Sequence, residues 1–524
     1  MSNSRQTIFC LSLLTLFLHG VVHAQISSVQ VDHLVEDALK KFDVAGVAVG
    51  IVKDGKIIHS KGYGLKSITT KEKVDKHTQF AIASNSKAFT TASLAILVDD
   101  GHLSWQDKVK ENIPEFKMYN AYVTENINIA DLLTHRSGLG LGVGDLMFFP
   151  DGSDFTIKDI IVNFQHFKPE SAFRTQFDYD NLLYIVAGEV IARVSGMTWE
   201  QFVQTRIMTP LNMDNSYSGL AQITDRGNLA TPHSTDTGSM RTISHFEQDC
   251  EKINGAAGGI YSNVDDLCHW MLVHLNEGQY GKALDKRLFS AARQREMWRI
   301  HTILTARRDD RYRSHFRGYG LGWVLADIQG NMSVSHTGGL PGMLSKTMMI
   351  PDLELGIVVL TNTANGGQGV FKSVTQTILD SYLGLDDHDW TNKFLAEHQF
   401  REAAGNKVTA KVWKTVAAAN SQAVNSADYI GVYEDPWFGK VEVFSKNEQL
   451  WIKSYRSPKL NGRMHYYKAN AFAIKWEYQD MVGDAFCVFS LDEEGHAQGI
   501  KLKGISPNID FSFDFHDLNL KRIK

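Results

Sequence analysis

The chain is short of cysteine, of proline and of any charge excess, and each shortage narrows what it can do. Only 4 Cys occur in 524 residues, with no Cys-x-x-Cys among them, so neither a structural zinc knuckle nor a redox dithiol is expected. Cys250, Cys268 and Cys487 lie beyond the N-terminal segment, and their pattern leaves a Cys250–Cys268 bridge and three buried thiols equally open. There are 10 Pro, 42 Gly, 43% hydrophobic and 22% charged residues, which excludes low-complexity and collagen-like chains and sets a multi-domain globular protein. With 54 Lys+Arg against 59 Asp+Glu, a formal charge of −5 and no basic run, no nucleic-acid partner is expected. No Gly-x-Ser-x-Gly elbow occurs. Despite 20 His there is no His-Glu-x-x-His and no His pair at metal spacing, so no metal ligand is nominated.

The N-terminus reads as an export signal. Arg5 precedes a short apolar stretch from Ile8 to Leu18, and Val22-His23-Ala24 places small residues where a signal peptidase cuts. That stretch is shorter than the roughly 18–20 residues that span a bilayer. Residues 1–24 are therefore expected to be removed, with Cys10, leaving a periplasmic or secreted protein without a transmembrane segment.

Three textures follow. Residues 44–64 alternate like strands around Lys53-Asp54-Gly55-Lys56, and Asp-Gly between apolar runs signals a hairpin. From about 83 to 279 the pattern is helical, with amphipathic stretches at 86–100, 199–211 and 265–276; Gly101 caps the first. Strand signals return at 319–326, 332–336, 344–350 and 355–361. An early hairpin and late strands predict one antiparallel sheet built from both ends, with the helical middle as a second lobe and a cleft between them. Residues 386–428 read as a polar helical linker. Residues 429–524 carry short aromatic-rich β runs, the pattern of a small all-β barrel or sandwich. The fold class is thus α/β in the α+β sense, an antiparallel sheet plus helical lobe over 25–385, followed by a barrel-like domain.

One constellation carries chemistry. Ser84-Asn85-Ser86-Lys87 is the single Ser-x-x-Lys in the sequence. At a helix start, residues three apart share a face, so an amine can take the hydroxyl proton. Free N–H groups there favour an oxyanion. Tyr179-Asp180-Asn181 supplies Tyr-x-Asn, and His336-Thr337-Gly338-Gly339 ends a predicted strand. A second Tyr-x-Asn, Tyr261-Ser262-Asn263, lies in an Ala-Gly-Gly block and is assigned to structural support. His135 and Arg136 are read as structural, and 138–142 as a flexible glycine loop near the cleft.

Ser-x-x-Lys, Tyr-x-Asn and His-x-Gly in this order resemble the serine β-lactamase and penicillin-binding-protein superfamily, the Tyr pointing to class C β-lactamases and their D-peptidase and esterase relatives. The resemblance spans about 25–385 and implies a β-lactamase/transpeptidase-like fold, needing no cofactor and acting on a small-molecule or peptide substrate. It implies Ser84 as nucleophile and Lys87 as a cation that lowers the pKa of Tyr179, the general base. Asn181 would hold Lys87 or substrate, and the N–H groups of Ser84 and Gly339 would hold the oxyanion. Gly338 would allow close approach to substrate beside Thr337. His336 departs from the Lys usual there, offering substrate a hydrogen bond in place of a charge. The function expected is a secreted serine hydrolase of an ester, a D-amino-acid peptide or amide, or a β-lactam. A catalytically silent penicillin-sensor-like protein is the alternative, a metal-dependent hydrolase a third. Oligomeric state does not follow from the sequence.

Overall fold

A computed structural model describes residues 25–246, 248–306, 309–419 and 424–524, the side chains of 248–252 excepted. The export signal expected at 1–24 and the Cys250 side chain lie outside the described residues, whereas Cys268 and Cys487 are free buried thiols.

The sheet is built from both ends, as expected. Its eight antiparallel strands run in the order 56–64, 46–53, 355–361, 343–350, 331–340, 324–328, 317–319, 302–303. The early hairpin joins the late strands through Val47 opposite Thr361 and Lys53 opposite Leu355. Gly46–Lys53 is buried on both faces, and side chains alternate across a strand. Val47, Val49 and Ile51 pack with Val31, Val35, Val370 and Val374 of the helices Ser28–Lys41 and Ala364–Tyr382. Ala48 and Val52 face a second core with Leu267 and Met271 of the helix Val264–Leu275. Gly50 is required there, because a Cβ would sit 2.7 Å from the Cys268 sulfur. The single strand expected over 319–326 is two, Arg317–Tyr319 and Val324–Ile328. Gly322, at φ +80° and against the Thr91 side chain, turns the chain between them.

The helix Ser86–Asp99 runs between sheet and helical lobe with nearly every side chain buried. Its Ala, Ser and Thr residues let neighbouring helices approach closely. Among the described residues no single helix is long and apolar enough to cross a membrane. A 29-residue helix, Trp390–Ala418, leads to eight strands that close into a barrel between Gly431 and Arg522. Aromatic packing makes barrel and helical lobe one apolar core. Trp437 meets Phe167, Phe438 meets Phe155, and Phe513 meets Phe149 with ring centroids 5.1–5.9 Å apart. Arg456 bridges Asp154 and Asp159, and Lys459 pairs with Asp151.

Candidate active site

The nucleophile candidate sits on a strained turn. Strand Phe80–Ala81 enters the 3-10 turn Ala83–Asn85 through Ala83 at φ +49°, a left-handed conformation costly for a residue with a Cβ. The turn is pinned to the sheet from two sides. Asn85 donates to Ser345 Oγ at 2.8 Å, and Ser345 donates to the Ile82 carbonyl at 2.7 Å. Gly338 makes this pinning feasible: a Cβ there would lie 2.1 Å from the Ile82 carbonyl oxygen. The close approach expected of Gly338 is therefore to the nucleophile turn.

Lys87, one helical turn on, is fully buried. Its Nζ contacts Ser84 Oγ at 3.1 Å, Asn181 Oδ1 at 2.7 Å and the Ala257 carbonyl at 2.8 Å. A carbonyl and an amide oxygen only accept, so two of these contacts fix N–H bonds. Only the contact to Ser84 can reverse, with the hydroxyl donating into the lone pair of a neutral amine. Burial drives Lys87 toward that neutral form, to a pKa of about 7, against the pull of Asp145 and Asp180.

Tyr179 lies on the other side of the amine, whose Nζ is 4.8 Å from the ring centroid. Burial pushes the phenol up, and the neighbouring Ser84 hydroxyl offsets this only in part. The lowered Tyr179 pKa expected from the Lys87 cation is thus overturned, because both groups are out of water and burial disfavours each charge. Apart from the Ser84 hydroxyl, the Tyr179 hydroxyl has no hydrogen-bond partner among the described residues, and Tyr179 lines the cavity that receives an incoming group. His135, at φ +52°, accepts the Asp180 N–H through Nδ1 at 3.1 Å, and its ring lies 4.1 Å from that of Tyr179. It holds the Tyr-x-Asn segment in place. Arg136 is tied to Asp131 and the His301 carbonyl.

His336 has both ring nitrogens engaged. Nδ1 lies 2.7 Å from the Thr337 carbonyl and must carry the proton; Nε2, 2.9 Å from the Tyr319 hydroxyl, accepts it. Burial holds the ring neutral, with a pKa of about 3. It offers substrate neither charge nor a spare N–H, which corrects the hydrogen-bonding role expected of it.

Ser84, Tyr179, Asn181, His336, Thr337 and Gly339 line one cavity of about 290 Å³, with Lys87 beneath it. Gly338 faces the turn behind. Tyr261-Ser262-Asn263 is elsewhere, pairing with Phe80–Ala81 and capping the helix Val264–Leu275. The 138–142 loop is anchored, Gly142 N–H donating to the Tyr179 carbonyl at 2.8 Å. A larger cavity of about 1000 Å³ opens behind the helix Leu182–Ser195, but among the described residues its lining has no Lys, His or Cys to serve a nucleophile. Among the described residues, Glu170, His516 and Asp517 are the one group with metal-type ligand atoms within 4.8 Å, at the surface and outside the cavity lining.

Sequence reasoning missed part of the cavity and of its support. Asp145 accepts from Asn181 Nδ2 at 2.8 Å, and Phe148 and Phe149 form an apolar wall. Asp510, Phe511 and Ser512 reach in from the barrel. None of these belongs to a spaced motif.

The Beta-lactamase family model matches residues 31–376. The chain belongs to the Beta-lactamase family. Among Beta-lactamase relatives, the "Unguisins hydrolase ungD" of Aspergillus violaceofuscus is 25% identical over 429 residues, covering 78% of this chain and 75% of that protein. "Protein flp" of Staphylococcus aureus is 26% identical over 351 residues, 64% of this chain and 63% of that one. The octameric penicillin-binding protein homologue from Pyrococcus abyssi shares the fold at a TM-score of 0.60 and 19% identity, covering 94% of this chain and all of that one. Residues 416–522 match a domain of unknown function, DUF3471. By this kinship the chain is a member of a family of serine hydrolases, with a closed barrel appended.

Proposed function

We propose that the chain hydrolyses a neutral ester or amide through an acyl-enzyme on Ser84. The carrying observation is the Lys87 amine, held by two acceptors so that its one reversible contact faces Ser84 Oγ. The neutral amine takes the Ser84 proton as the Oγ–carbon bond forms and the carbonyl electron pair moves to oxygen. On collapse, the carbon–heteroatom bond breaks and the leaving group takes a proton from the Tyr179 hydroxyl, which Lys87 replenishes. Water then repeats the sequence on the acyl-enzyme. The N–H groups of Ser84 and Gly339 receive the oxyanion.

The substrate class is read from the walls. Among the described residues the lining includes Phe148, Phe149, Leu340 and Phe511 but no Lys or Arg, and His336 is neutral and fully engaged. An uncharged group beside the scissile bond suits this pocket, and a carboxylate there meets no counter-charge. The leader-like residues 1–24 support action outside the cytoplasm, checked by a mature N-terminus at Gln25.

Turnover of p-nitrophenyl butyrate beside a carboxylate-bearing cephalosporin tests the reading. The ester is expected to be consumed with a kcat/KM at least about tenfold higher. A cephalosporin turned over as fast as the ester overturns the substrate class.

A further inference from the structure

The barrel is more than an appendage, because one of its loops forms part of the cavity. The segment 510–514 lies between the strands Ala497–Gly504 and Leu520–Arg522 and crosses onto the loop before Met147. Ser512 Oγ donates to Asp145 Oδ2 at 2.8 Å, the same oxygen that accepts Asn181 Nδ2. Asn181 Oδ1 in turn fixes Lys87 Nζ. A second tie lies one residue away in the lobe, where Gly144 N–H donates to Asp514 Oδ2 at 2.6 Å. Phe511 packs its ring edge-on to Tyr179, centroids 5.9 Å apart. Its place demands glycine at 142, where a Cβ would stand 2.7 Å from the Phe511 ring. Ser512 is buried, while Phe511 is 39% exposed at the mouth.

We propose that the C-terminal barrel completes the active site, Ser512 acting as a positioning residue for the Asp145–Asn181–Lys87 chain and Phe511 setting the size of substrate group accepted beside Tyr179. The proposal rests on the reading of Ser84 as nucleophile. Asp145 has one orientation that serves Asn181, and the Ser512 hydroxyl is the barrel's hold on it. Without that donor the carboxyl turns, Asn181 loses its anchor, and the Lys87 amine no longer keeps its lone pair on Ser84. Phe511 sits at the open side of the pocket, so its removal widens the space for the acyl chain without touching the amine.

The test is a double-mutant cycle in the full chain on p-nitrophenyl esters, with thermal unfolding measured in parallel. Ser512→Ala is expected to lower kcat about tenfold with KM within about twofold. Because Ser512 acts through Asp145, Ser512→Ala added to Asp145→Asn is expected to cost less than about twofold more. Phe511→Ala is expected to raise kcat/KM for an octanoate ester relative to an acetate ester about fivefold. Wild-type kcat in Ser512→Ala, or fully additive losses in the cycle, overturns the positioning role. An unchanged chain-length preference in Phe511→Ala overturns the size role. Ser84→Ala is assayed alongside: turnover surviving in it means the site reading itself has failed, whereas an inactive Ser84→Ala beside a fully active Ser512→Ala defeats only this inference.

Discussion

Ser84 and Lys87 are three residues apart and meet because one helical turn brings them to the same face; Ser512 and Asp145 are 367 residues apart and meet because a barrel docks on a helical lobe. The first pair is close in sequence, and its spacing is set by the turn Ala83–Asn85 and the helix Ser86–Asp99 that continues it. The second exists only after two folding units pack, through the aromatic contacts around Phe149, Phe155 and Phe167. Chemistry is thus placed on the local element, and its alignment on the distant one. The two halves of the site should fail differently when altered.

The local half should fail hardest. Ser84→Ala is expected to reduce ester turnover about ten-thousandfold or more, read as the loss of p-nitrophenolate release at unchanged folding. Lys87→Ala should cost about a thousandfold, since the base beside Ser84 is lost. In the wild type the pH dependence should show the sign of that base. Lys87 is depressed to about 7, so below that pH it is protonated and cannot accept the Ser84 proton. The kcat/KM profile is expected to rise with pH through about 7, and a profile that falls there contradicts the assignment. Tyr179→Phe should cost about a hundredfold, more for an amide than for an activated ester whose leaving group needs no proton. Against these, the tenfold expected of Ser512→Ala marks the distant half as alignment. Smallest of all, Arg456→Ala at the docking face should cost about 1 kcal/mol of stability in chemical denaturation, from its contacts with Asp154, Asp159 and the Phe155 ring, with kcat within about twofold.

What the sequence made legible follows the same division. The hairpin at Asp54-Gly55, the late strands and the pairing of both into one sheet could be read because short apolar runs and turn residues are short-range signals. Ser84, Lys87, Tyr179, Asn181, His336 and Gly339 could be nominated together because they sit in spaced motifs. Electrostatic state could not be read that way. The expected depression of Tyr179 assumed a solvated cation beside it, whereas full burial of both groups raises the phenol and lowers the amine. The hydrogen-bonding role expected of His336 failed because its partners, Tyr319 and the Thr337 carbonyl, are set by sheet register and local backbone. Asp145 and Ser512 carry no motif at all. Asp145 is one polar residue in an apolar stretch and Ser512 one of several polar residues alternating with Phe, and only the docked barrel gives the pair a meaning.

The central claim is that Ser84 is the nucleophile and that its proton goes to a neutral Lys87. Peptide mapping by mass spectrometry after brief labelling with a fluorophosphonate, run across about pH 5 to 9, tests it most directly. The account predicts one adduct, on Ser84, absent from Ser84→Ala, forming faster as pH rises through about 7. An adduct on another residue, or one that persists undiminished in Ser84→Ala, would contradict it.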